Sequence, residues 1–145
     1  MKIIGFSIEE ILAKRPFDIP KAGINTDILF TNIEKAKLDV LKDEECLKGS
    51  FKFSVIYKDA IKKDSKDSNE ISLSGSILLM VTKDEFKEFI KLWKTKQIPK
   101  EKIIPIYNYI LKKCSVKALQ LEEELNLQPH IPFPKLTPQN TQTNQ

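Results

Sequence analysis

An α+β domain is what this sequence predicts, with an antiparallel sheet of three to four strands followed by two helices packed on one face. Three observations carry that expectation. Stretches with apolar residues at every second position succeed one another up to Val81, and apolar residues then recur at intervals of three and four as far as Leu125. The segments between the strand-like stretches hold no crossover helix of the kind that parallel pairing needs.

The first element is expected to be a short helix from Ile8 to Lys14. Ser7 followed by Glu10 reads as a capping box, Phe6 and Ile11 occupy the positions of a hydrophobic staple, and Pro16 stops the run. "RPFDIPKAG" follows as an irregular connector punctuated by Pro20 and Gly23. A one-sided strand is expected between Asp27 and Leu41, where Ala36, Leu38 and Val40 alternate with Lys35, Lys37 and Asp39. "DEECLKGS" reads as a turn, and "FKFSVIYK" resumes the alternation with Phe51, Phe53, Val55 and Tyr57. The Lys- and Ser-rich run "DAIKKDSKDSN" reads as a long solvated hairpin loop. In "EISLSGSILLMV", Ile71, Leu73, Ile77, Leu79 and Val81 share one face and Ser72, Ser74 and Ser76 the other. Gly75 in its middle marks a bulge or the close approach of another backbone.

Helical spacing begins at Thr82, which with Glu85 forms a second capping box. Phe86, Phe89, Ile90 and Trp93 then make an apolar stripe from Lys83 to Lys96. Pro99 suits the first turn of the next helix, where Ile103, Tyr107, Ile110, Cys114, Ala118, Leu121 and Leu125 continue the pattern. Pro105 predicts a defect near Ile104, and Asn126 is the expected cap. Residues 1–136 thus read as a single domain, and 137–145 as a disordered polar tail.

Composition narrows the functional classes. The chain has 145 residues and a net charge of +4, but Arg15 is its only arginine. Lysines interspersed with twenty Asp and Glu describe a mixed solvated surface and argue against a nucleic-acid interface, which favours arginine forks. Cys46 and Cys114 stand far apart with no metal-ligand spacing, so both are expected to be free thiols in a reducing, cytoplasmic setting. No segment reaches the roughly 20 apolar residues that cross a bilayer, and no signal-peptide pattern opens the chain.

No catalytic signature stands out. His130 is the only histidine, so any Ser/His/Asp arrangement has to include it, and its place beside Pro129 reads as surface. Glu44 and Glu45 read as turn charges and Glu122 to Glu124 as an exposed helix face, not as an acid/base pair. There is no glycine-rich phosphate loop, no HExxH and no clustered CxxC, so no cofactor, metal or enzymatic activity is expected. Trp93 has the residue type of a binding hot spot, but its place on an apolar stripe favours the core.

The stretch "LNLQPHIPFPKL" is the exception to this plainness. Its prolines hold it extended while Leu127, Ile131, Phe133 and Leu136 give it an apolar side, so it either closes the core or meets another chain. The organisation from Ile28 to Asn140, strands of the type "FKFSVIY" and "ISLSGSILL" before a long helix and a proline-rich apolar crossover, resembles the SecB family of protein-export chaperones. Within it, "FPKLTPQN" is similar to that family's FPxLxLxPxNF crossover, with a shorter interval between leucine and proline. The resemblance implies an ATP-independent holdase, assembled as a homo-oligomeric dimer of dimers, that binds non-native chains along apolar grooves. It implies that Ile131, Phe133 and Leu136 border the client groove, with Trp93 the further client-binding candidate from its residue type. The alternative is a non-enzymatic adaptor that binds one specific folded partner.

Overall fold

The computed structural model describes residues 1–16, 22–38, 43–59 and 68–138. Four strands come first: β1 (Lys2–Lys14), β2 (Ala22–Lys35), β3 (Glu44–Asp59) and β4 (Asn69–Thr82). Two helices follow, α1 (Lys83–Thr95) and α2 (Lys100–Glu124). The strands form one antiparallel sheet in the order β1-β4-β3-β2, so the expected α+β architecture is what the chain adopts.

The N-terminal segment is a strand, not the expected helix. Ser7, the expected capping residue, makes a cross-strand contact instead: its hydroxyl lies 3.2 Å from that of Ser76, whose Oγ also donates to the neighbouring Glu9 at 2.8 Å, while Glu10 pairs with Ser74 in the strand register. Register shifts between Ile3 and Gly5 and between Ile8 and Glu10 explain why alternation was hidden. The inward side chains Ile3, Phe6, Ile8 and Ala13 are spaced by three, two and five, and no simple period survives two bulges. Gly75 answers the question its position raised. A Cβ there would sit 1.9 Å from the Ser7 carbonyl oxygen, so close approach of the β1 backbone requires glycine.

β2 also lies earlier than expected. Its inward residues are Ile24, Ile28, Phe30 and Ile33, with a register shift between Phe30 and Asn32, and the strand ends at Lys35. Ala36 is buried just beyond it, its N–H donating to the Cys46 carbonyl at 2.8 Å, whereas Leu38 is exposed; Val40 and Leu41 lie outside the described residues. The expected turn at "DEECLKGS" is mostly strand, since β3 begins at Glu44. Most of the "DAIKKDSKDSN" loop and the tail from residue 139 lie outside the described residues.

β4 and α1 match their expected patterns. Glu85 N–H donates to Thr82 Oγ1 at 3.2 Å and Thr82 N–H to Glu85 Oε1 at 3.3 Å, completing the capping box. α2 runs unbroken through Pro105, which sits early enough to forfeit only one intrahelical bond. Phe51, Phe53, Val55, Ile71, Leu73 and Ile77, none more than 1% exposed, meet Phe89 of α1 and Ile106, Ile110, Cys114 and Ala118 of α2 in one core. Both helices therefore cover one face of the sheet.

Candidate functional site

The site begins where α2 ends. Asn126 adopts a left-handed conformation at φ 53°, its N–H bonds the Glu123 carbonyl at 3.3 Å, and Leu127 N–H bonds the Glu122 carbonyl at 2.8 Å. This is a Schellman motif, and the buried Leu127 supplies its apolar contact. The turn sends the chain back along α2, antiparallel to it.

That return carries His130 inside. Its side chain is 2% exposed, not superficial as the sequence suggests, and it meets a Glu122 side chain that is 1% exposed instead of solvated. Nδ1 lies 2.7 Å from Glu122 Oε1 and Nε2 lies 3.2 Å from Ser115 Oγ. A carboxylate only accepts, so Nδ1 carries a proton and Nε2 faces the serine hydroxyl. The second oxygen, Oε2, accepts from the Tyr57 hydroxyl, which also lies 2.6 Å from the Gln128 carbonyl; two acceptors thus converge on one phenolic proton. Phe53 meets the imidazole edge to face at 5.9 Å. β3, α2 and the returning segment are joined through a single buried carboxylate.

Burial, then the bond to Glu122 and its negative charge, push the Tyr57 phenol well above its ordinary range. The neighbouring Cys114 thiol is pushed up to about 12 by burial alone, which makes it inert as a nucleophile.

Serine, histidine and carboxylate in this order are the groups of a nucleophile, its base and an orienting acid. Two requirements of that chemistry are unmet here. Ser115 is 6% exposed, and it lies inside α2, where backbone N–H groups bond the carbonyls four residues earlier and are not free to hold an oxyanion. What the arrangement does is pin the segment to the core.

Beyond the pin, the structure places the candidate residues unequally. Ile131, Phe133 and Leu136 are 39%, 57% and 82% exposed on the extended return. Trp93 is half-buried and packs against the core from α1, as its stripe suggests. The residues missed by sequence reasoning are Ser115, Glu122 and His130. Glu122 had a signal, because it lies four residues after Ala118 and eight after Cys114, on the buried stripe. Among the described residues, no group of three or more His, Cys, Asp or Glu could hold a metal ion, and no helix is long and apolar enough to cross a membrane. Compared with family models, with curated proteins and with solved structures, the chain matches none.

Proposed function

We propose that this chain is an ATP-independent holdase of the SecB-like kind, a cytoplasmic homo-oligomer that binds non-native polypeptides, keeps them from aggregating and aids protein export. The observation that carries the reading is the exposure of Ile131, Phe133 and Leu136 on a segment whose base is fixed in the core. Large apolar side chains held outward in a row present a surface that non-native chains bury, at roughly 25 cal/mol per Å² removed from water. The prolines at 132 and 134 lower the entropy lost when that surface is covered.

A second reading, an adaptor for one folded partner, is favoured by the rigid anchoring at His130, since a fixed geometry suits a single complementary surface. Light scattering from a dilution-denatured client, without nucleotide and at a stoichiometric ratio, separates the two. Suppressed aggregation that weakens in a folded Phe133→Asp variant supports the holdase. No suppression at any ratio, with capture of one stoichiometric partner that Phe133→Asp abolishes, overturns it in favour of the adaptor.

A further inference from the structure

On α2, Ile104, Leu111, Ser115 and Glu122 follow one another at intervals of seven, four and seven, which aligns them on one stripe. The two halves of the stripe differ. Ser115 and Glu122 are 6% and 1% exposed beneath the returning segment, whereas Ile104 and Leu111, two turns apart on the same stripe, are 47% and 39% exposed and form an apolar strip beside it. The segment is already aimed at that bare half. Leu127 N–H bonds the carbonyl of Glu122, and His130 then spans Glu122 and Ser115, so the chain advances toward the helix N-terminus. Its next apolar side chains are Ile131, Phe133 and Leu136.

The lengths agree. Ser115 to Ile104 covers about 16 Å of helix at about 1.5 Å per residue, and an extended proline-braced chain covers about 19 Å from His130 to Leu136 at about 3.1 Å per residue. By the same arithmetic Leu111, about 6 Å from Ser115, falls between Ile131 and Phe133.

We propose that residues 131–136 close over the bare half of the α2 stripe as an intramolecular lid, with Phe133 seated on Leu111 and Leu136 on Ile104. His130 is the hinge pin, and Glu122 and Ser115 are the positioning residues that set its aim. Closure hides both apolar rows at once, so the protein's own segment occupies the surface a non-native chain would take. That consequence rests on the holdase reading, whereas closure itself does not.

Thiol crosslinking of the full chain tests closure. In a Leu111→Cys/Phe133→Cys variant a seated lid brings the two Cα atoms within the roughly 7 Å that a disulfide needs. The control is Val116→Cys/Phe133→Cys, because Val116 is 60% exposed but points elsewhere, roughly 140° around the helix from Leu111. The expected result is about tenfold more intramolecular crosslink in the first pair than in the control, since a seated segment raises the effective concentration of its thiol. Equal yields in the two pairs, or none in either, overturn the lid. A crosslink that joins two chains also overturns it and assigns the stripe to a neighbouring copy. Because a strained variant could mislead, a Leu111→Cys/Ile131→Cys pair provides the second reading, with the same expectation. The crosslinked protein is then compared with its reduced form in client aggregation. Loss of suppression on crosslinking ties the lid to client binding; a crosslink in a protein that never suppresses aggregation leaves the lid standing and removes the holdase.

Discussion

A buried carboxylate costs several kcal/mol unless its lone pairs are satisfied, and Glu122 is satisfied by His130 and Tyr57 together. Removing either end of the pair therefore weighs more than its single hydrogen bond. His130→Ala is expected to lower stability by roughly 3–5 kcal/mol, because it leaves an under-compensated charge beneath the segment. Urea unfolding with an unchanged slope reads this directly, and a loss below about 1 kcal/mol would show a hydrated, not buried, pair. Tyr57 and Cys114 set the alkaline limit. Both hold their protons to higher pH in the folded protein than in the unfolded chain, so their contribution is complete below the ordinary values and is lost as pH rises. The thiol acts first, between its ordinary value near 9 and about 12, and the phenol adds to it above about pH 10. Stability is expected to fall by at most about 1.4 kcal/mol per pH unit for each group. Cys114→Ala should reduce the slope from near pH 9 to about 12 by that thiol's share, leaving what the buried Cys46 thiol supplies from pH 9 and Tyr57 supplies above about pH 10; an unchanged limb would show that Cys114 is not a group titrating there. None of this network was legible as chemistry in the sequence. His130 sits between polar and proline residues with no periodicity to place it, and only the fold brings it seven residues back along α2 to Ser115.

At the level of the element, what the sequence conveys depends on whether a single period survives. β4, α1 and α2 each keep one, and their bounds follow from capping residues and apolar spacing. β1 and β2 do not, since bulges at Ile3/Gly5, Ile8/Glu10 and Phe30/Asn32 shift which residues face inward. In β1 this left Ser7 and Glu10 looking like a helix start. Edge strands commonly carry such irregularities, because a bulged, twisted edge discourages pairing with another chain. The seam between β1 and β4 then depends on one residue. Gly75→Ala is expected to push the β1 backbone away from β4 and lower stability by at least ~2 kcal/mol, whereas Gly23→Ala, where the nearest atom is the Lys58 carbonyl at 4.0 Å, should change it by less than about 0.5 kcal/mol. Hydrogen exchange locates the damage: the β1 amides should lose protection before those of β3. Equal tolerance at the two glycines would mean that β1 docks more loosely than its close approach requires.

At the scale of the molecule, the pin and the surface are different parts of one segment, and they separate stability from binding. Leu127 and His130 are held in the core, while Phe133 and Leu136 contribute almost nothing to it. With the segment open as described, Phe133→Asp with Leu136→Asp leaves the unfolding midpoint within about 0.5 kcal/mol of the parent, as exposed substitutions do, and a larger loss reports a seated lid. With the segment open, the same pair should lower the fluorescence of an apolar-sensitive dye bound to the native protein, because those side chains with Ile104 and Leu111 supply exposed apolar surface at this end of the molecule, whereas a rise reports a seated lid lifted off Ile104 and Leu111. His130→Ala should do the opposite and raise dye binding, since freeing the segment exposes the buried Leu127 and the side of the core against which it packs. The contrast depends on direction, one change lowering and the other raising the signal. A native protein that binds no dye, and still binds none when His130→Ala frees the segment, would mean that something other than the returning segment covers the α2 stripe in solution, and would remove the surface on which client binding depends.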